Sequence, residues 1–251
     1  VSEKSTPLVA QISDRLITAI ATGEFLPGSR LPAERDLAGL LHVGRTSVRA
    51  ALAVLHDRGL IETQRGRGGG SFVRVQWTPD SHAAVVRTLR LRWSEIEDRL
   101  EAMRRLHGAI ARAAAEQRDD QDIALLRERL DAYRDAPSGR GKQLADASLH
   151  LAISDAAKNG TLKSMLRALE QEITIGAPLH VWGEPDGMVA SEDRALGEHV
   201  LLVDAIAEGR ADDADDVARE HARIDLELLE IARQRAERAA AVPADAEADH
   251  E

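Results

Sequence analysis

The stretch Leu31–Gly59, LPAERDLAGLLHVGRTSVRAALAVLHDRG, limits what this chain can fold into more than any other. Leu37, Leu40 and Leu41 make one helical stripe, and Val48, Leu52 and Leu55 make a second. Each stripe has the spacing of a helix with one buried face. Between them His42-Val43-Gly44 breaks the pattern, and Gly59 ends the second helix. Pro32 suits a first helical turn, where its missing N–H is no loss. Two helices this short must brace one another across a tight turn. The second begins Gly44-Arg45-Thr46-Ser47-Val48-Arg49, so Arg45, Thr46, Ser47 and Arg49 crowd its N-terminal turns beside the buried stripe. A helix presented in this way can enter a DNA major groove. Its arginines can pair bidentately with guanine O6/N7, and its hydroxyls and terminal N–H groups can take phosphates. An ordinary surface helix with two arginines is the alternative at this point.

Residues 60–75, LIETQRGRGGGSFVRV, follow directly. Leu60–Thr63 and Ser71–Val75 have the composition of two short strands around a glycine-rich tip that holds Arg65, Gly66 and Arg67. That is a wing. Its glycines let backbone approach a phosphate or a minor groove, and its arginines supply charge. LPAERDLAGLLHVGRTSVRAAL followed by GLIETQRGRGGGSFV resembles the winged helix-turn-helix of the GntR family of bacterial transcription regulators over roughly residues 8–75. The resemblance implies that Arg35, Arg45, Arg49 and the wing tip at Gly66 fall on DNA-contacting positions, with Thr46 and Ser47 adding phosphate contacts. Gly44 stands where the family usually has Ser, and Ser47 where it often has Pro; Gly44 thereby loses a side-chain cap.

The formal charge of −10 argues against nucleic acid until the chain is divided. Residues 1–75 hold 10 Lys/Arg and 7 Asp/Glu, a net of +3, which leaves −13 on the remainder. A mildly basic N-terminal module on an acidic body fits a DNA-binding head attached to a sensing domain. Cysteine is absent, so disulfides and thiolate metal sites are excluded. No apolar run approaches a membrane span and no signal-peptide pattern opens the chain, so a cytoplasmic protein with no membrane partner is expected.

The spacing predicts a helix from about Pro7 to Gly23, carried by Leu8, Ile12, Leu16, Ile17 and Ile20, then a turn at Phe25–Ser29. The expected fold is mainly α. A winged helix-turn-helix domain with a small β wing (1–75) and a linker (76–81) lead into an all-helical antiparallel bundle (82–235). A disordered acidic tail (236–251) closes the chain. Seven helical segments are predicted after the linker: 82–91, 94–117, 120–135, 141–158, 161–179, 191–208 and 211–235. The breaks are Pro137-Ser138-Gly139, Asn159-Gly160, the loop GAPLHVWGEPDG at 176–187, and Gly209.

In the helix at 141–158, Asp146 and His150 lie four residues apart on one face, and Ile153 and Ala157 continue that face. His199 lies in line with Ala195, Leu202 and Ile206; His221 lies in line with Val217, Ile224 and Leu228. Three helices each aim an imidazole or carboxylate at the core. Such groups are costly to bury unpaired, and one divalent transition metal held by Asp146, His150, His199 and His221 would satisfy all four. These donors suit zinc, taken first, or nickel, manganese or iron, and the spacing does not choose among them; any one of the histidines taken alone is as well read as a hydrogen-bonded core residue.

DASLHLAISDAAKN at 146–159, EHVLLVDAIAEGR from Glu198 and then His221 resemble the effector-binding FCD domain of the FadR subfamily, over about residues 82–235. The resemblance implies an Asp and three His as metal ligands at these four positions. It also implies a homodimer whose heads bind a short inverted repeat in double-stranded DNA, and a small organic acid as effector. Regulation would be repression. The chain departs from the subfamily at an Arg and a Glu four residues apart, where it has Met103 and His107; Arg104 or His107 would have to serve the effector instead. Two other functions stay open, a purely structural metal and a metal-dependent enzyme acting on a small carboxylate. An enzyme would need a general base near the ion, and Glu198, though next to His199, points away from it on a helix.

Overall fold

A computed structural model describes residues 7–21, 24–173, 175 and 185–241. The elements, in order, are α1 (Leu8–Ala21), α2 (Glu34–Leu40), α3 (Arg45–Asp57), β1 (Ile61–Gln64), β2 (Gly70–Val73), α4 (Pro79–Gln117), α5 (Asp120–Asp135), α6 (Arg140–Ala156), α7 (Gly160–Ile173), α8 (Pro185–Glu208), α9 (Ala211–His221) and α10 (Arg223–Ala240). The fold is mainly α with one small antiparallel sheet, as the residue pattern predicts. Among the described residues no helix is long and apolar enough to cross a membrane. The chain forms two compact units, one holding the residues up to Trp93 and those from Leu229, the other Ser94–Leu228.

In the first unit α1 packs against α3. Leu16, Ile17, Leu37, Val48, Leu55, Leu60 and Ile61 form its core at 0–2% exposure. The break between α2 and α3 falls where expected, but its strained residue is His42, at φ 54. Gly44 takes an extended φ of −70 and serves as the N-cap of α3 with no side-chain cap bond. Pro32, predicted in the first turn of α2, precedes it, and Ala33 is the N-cap. Gly59, at φ 67, closes α3: its N–H donates to His56 O at 2.9 Å and the Leu60 N–H to Leu55 O at 3.0 Å, a Schellman pattern. In the wing, Ile61 pairs with Val73 and Gln64 with Gly70. On its other side β2 meets Gly28–Leu31, through Gly28 N to Val73 O, Val73 N to Ser29 O and Leu31 N to Ser71 O, each at 2.9 Å.

Residues 79–81, expected within a linker, are helical. Thr78 caps α4, its Oγ1 accepting from Ser81 N at 3.2 Å, and Pro79 fills the first helical position. Ser81 Oγ then donates to Arg58 O at 2.7 Å, tying α4 to the end of α3. The predicted break at 92–93 does not occur, because neither proline nor glycine interrupts the stretch and Ile96, Leu100 and Met103 carry the buried stripe onward. At the other end α10 runs to Ala240, so residues 236–240 are helix rather than tail. These residues are helix formers; Ala236 is buried and Glu237 accepts from Arg90 at 3.1 Å. The rest of the expected tail, 242–251, and most of the loop at 176–187 lie outside the described residues.

The second unit is the helical bundle. Asp119 caps α5 with a reciprocal capping box to Asp122. Glu192 of α8 accepts from Ser138 Oγ at 3.0 Å and Gly139 N at 2.7 Å, and so fixes the turn that launches α6. Asn159 Oδ1 accepts from Thr161 N and Leu162 N and starts α7. Gly108 of α4 faces α9 so closely that a Cβ would come within 2.7 Å of Arg219 Cγ. The single helix predicted over 211–235 is broken at Ala222, where ψ opens to −5. His221 therefore ends α9 instead of lying mid-helix.

The two glycines that bound α3 give opposite expectations. At Gly59 a side chain would be held in the left-handed region and its Cβ would meet Ser81 Oγ at 3.0 Å. Gly59→Ala is therefore expected to destabilise the protein by about 1–2 kcal/mol in urea unfolding followed by circular dichroism. At Gly44 nothing lies within 4 Å, and Gly44→Ser should add a few tenths of a kcal/mol as a cap, roughly. Equal effects at the two sites would contradict these backbone roles.

Candidate functional site

Two groups of side chains are set up by this fold, one in each unit. In the first unit Arg35, Arg45, Thr46, Arg49, Arg65, Gly66 and Arg67 are all exposed, and Ser47 is half-buried at the start of α3. Because α3 has no side-chain cap, and Ser47 and Val48 N–H donate to Gly44 O, the Arg45 and Thr46 N–H groups are the ones left to an outside acceptor, which suits a phosphate. Gly66 and Gly68 turn the wing at φ 100 and 92, and the Gly69 N–H donates to Gly66 O at 2.9 Å. At Gly69 a Cβ would collide with the backbone oxygen of Gln64, so the tip admits no side chain there. Arg35 lies 3.2 Å from Asp36, with 83% of its side chain exposed. Arg49 is gripped by Glu34, a partner the sequence reading missed: Nη2 to Oε2 is 2.8 Å and Nε to Oε1 is 3.1 Å. Those hydrogen bonds hold the Glu34 carboxyl below the usual carboxylate range.

In the second unit α6, α8 and α9 bring Asp146, His150, His199 and His221 together, all buried, with ligand atoms within 4.8 Å of one another. The geometry is specific. His150 Nε2 lies 3.3 Å from His221 Nε2 and 3.3 Å from His199 Nε2, and His199 Nε2 lies 3.1 Å from His221 Nε2. Asp146 Oδ1 is 3.2 Å from His199 Nε2 and 3.8 Å from His150 Nε2. An imidazole nitrogen carries a proton or a lone pair, never both. Three mutually adjacent Nε2 atoms can therefore form at most two hydrogen bonds, and the third contact is repulsive. One cation accepting all three lone pairs removes the conflict. A tetrahedral ion with bonds of about 2.0–2.1 Å has ligand–ligand edges of about 3.3–3.4 Å, close to the separations found. The residues fit a metal ion.

The outer groups reinforce the arrangement. His221 Nδ1 lies 2.8 Å from Glu198 Oε2. With the proton on Nδ1 donated to that carboxylate, the lone pair of Nε2 faces the centre. Glu198 is itself held by Arg194 Nε at 2.8 Å, and Arg194 also pairs with Glu227. Glu198 does point away from its neighbour His199, but it reaches His221 on the next helix. Tyr133 sets its ring edge-on to His199, with centroids 4.7 Å apart. Burial, then the nearby Asp146 charge, pushes the phenol well above its ordinary range; it stays protonated and donates to Glu192 O at 3.2 Å. Neither Glu198 nor Tyr133 carries a sequence signal for this role beyond the four-residue spacing of Arg194 and Glu198.

The two residues proposed for an effector go different ways. His107 is buried and stands edge-on to His150 at 5.4 Å between centroids. Arg104 turns to Glu101, donating from Nε at 2.7 Å, and holds that carboxyl down at about 2. It lines a cavity of about 280 Å3 with Glu97, Leu100, Ala222 and Arg223, and Met103 is buried beside it in α4.

Residues 8–71 match the family described as "Bacterial regulatory proteins, gntR family", and residues 98–224 match the FCD domain. RmpR of Mycobacterium gastri is 32% identical over 214 residues, covering 84% of this chain and 76% of that protein. LutR, an HTH-type transcriptional regulator of Bacillus subtilis, is 26% identical over 205 residues, covering 80% of this chain and 92% of its own length. NanR, an HTH-type transcriptional repressor of Cronobacter sakazakii, is 25% identical over 223 residues, covering 85% and 82%. The solved structure of E. coli McbR/YncC covers 90% of this chain and 98% of its own at 19% identity and a TM-score of 0.48.

Proposed function

The chain belongs to the GntR family of bacterial regulatory proteins and carries an FCD domain, and on that footing we propose that it is a metabolite-responsive repressor of the FadR subfamily. It acts in the cytoplasm as a homodimer. The heads bind a short inverted repeat, with α3 in the major groove and the wing tip on the flanking backbone. Two-fold symmetry in the protein mirrors that of the operator. The bundle holds a divalent transition metal, zinc or alternatively nickel, manganese or iron, through Asp146, His150, His199 and His221. A small organic acid binds there and changes DNA affinity by binding the two states of the protein unequally.

The observation that carries this reading is the convergence of three Nε2 atoms at 3.1–3.3 Å from one another, with the Asp146 carboxylate beside them. When bound, the ion supplies positive charge and coordination positions for a carboxylate. The chain does the rest: Glu198 fixes the tautomer of His221, Tyr133 packs His199 in place, and His107 stands at the edge of the site. A second reading is favoured by the burial itself. Four protein ligands already complete a tetrahedral ion, so an ion held at four-coordination would serve the fold alone, while one that expands to five or six ligands leaves room for the acid.

A thermal-shift panel of small carboxylates on the metal-loaded protein, repeated with chelator, separates the two. One acid is expected to stabilise the loaded protein by about 2.7 kcal/mol at 100 times its Kd and to lose that effect with the metal. If no acid shifts the loaded protein and chelation alone melts the bundle, the ion is structural. The Glu198→Gln variant is expected to hold its metal about 10–100-fold more weakly, measured by competition with a chromophoric chelator. Unchanged affinity would remove Glu198 from the support of His221.

A further inference from the structure

Glu34 and Arg49 lie on different helices, Glu34 opening α2 and Arg49 in the second turn of α3. Their contact is a fork. Arg49 Nε donates to both carboxylate oxygens, at 3.1 and 3.2 Å, and Nη2 donates to Oε2 at 2.8 Å. A guanidinium has two edges able to make paired hydrogen bonds, the side edge of Nε and Nη2 and the end edge of Nη1 and Nη2. Glu34 takes the side edge. Nη1 makes no hydrogen bond among the described residues, and 69% of the Arg49 side chain is exposed. The end edge therefore faces outward, held at a fixed angle on the helix that the family reading places in the major groove. Bidentate recognition of guanine O6 and N7 needs two parallel donors of this kind.

We propose that Glu34 is a positioning residue for DNA reading: it clamps Arg49 by its side edge so that the end edge is presented, already ordered, to a guanine. The inference rests on the DNA-binding role of the head and is independent of the metal site. A long side chain that is ordered before it meets its base loses less freedom on binding. Glu34 also sets a negative charge on the surface that approaches phosphates, which weakens binding to any sequence. Its two effects are opposite in sign. It sharpens the choice of base while lowering affinity for DNA in general.

The test uses the full chain and a pool of duplexes with a randomised central segment. Selection with the wild-type protein defines the preferred site, and the preference at each position is then measured for variants. Arg49→Ala and Glu34→Gln are both expected to lose discrimination at the same G·C pair, by roughly tenfold. The double variant should do no worse than Arg49→Ala alone, because the two residues act as one unit. Arg49→Lys keeps the charge but cannot make the paired contact, and should lose the same base preference. Glu34→Gln should meanwhile bind unselected duplex at least as tightly as the wild type, a gain that simple loss of stability cannot produce. Full preference in Glu34→Gln at the position lost in Arg49→Ala would overturn the inference. So would an Arg49→Ala variant whose preferences are intact at every position. Enrichment of no sequence by the wild-type protein would overturn it together with the DNA reading, a result distinct from both.

Discussion

Three imidazole nitrogens at 3.1–3.3 Å from one another, with a carboxylate beside them and almost no solvent access, are the constraint on which the bundle depends. Protons alone cannot satisfy that arrangement, since no assignment of tautomers makes every contact favourable. Much of the surrounding structure serves to aim those side chains. The four-residue spacing of Asp146 and His150 puts two donors on one face of α6. Glu192 fixes the turn ahead of that helix, Tyr133 packs against His199, and the Glu198–Arg194–Glu227 chain holds the far side of His221. A metal ion at the centre would tie α6, α8 and α9 together at one point.

The head follows a similar logic with a different currency. Its first turns of α3 are stripped of a side-chain cap, its wing tip is bare of side chains where backbone folds tightly, and its arginines are exposed. None of these features helps the fold. Gly44 contributes less than a serine would, and His42 holds a strained backbone angle at the turn. They are the features that an incoming phosphate backbone would use. Arg49 differs from Arg35, which makes a single contact to Asp36, in that its guanidinium is forked by Glu34 along one edge.

Much of this was legible in the residues. Helical periodicity located α2 and α3, strand composition around a glycine-rich tip located the wing, and the inward-facing positions of Asp146, His150, His199 and His221 could be read from their apolar neighbours. What periodicity could not show was continuity. Nothing in Arg92-Trp93 stops a helix, and α4 runs through the break expected there. Conversely, no glycine or proline marks Ala222, and the chain bends there after His221. Contacts between helices were also out of reach. The spacing of Arg194 and Glu198 suggests only a surface pair, while the second oxygen of Glu198 goes to His221. The Glu34–Arg49 fork spans 15 residues and requires the helix-turn-helix angle before it can be seen.

Metal analysis of the protein as purified, joined to X-ray absorption at the edge of whatever element is found, bears most directly on the central claim. One transition-metal ion per chain, with imidazole and carboxylate in its first coordination sphere at about 2.0–2.2 Å if the metal is zinc, is the predicted result. A chain that purifies without metal and takes up none when zinc, nickel, manganese or iron is supplied would contradict it. The four buried groups would then have to be held by hydrogen bonds alone.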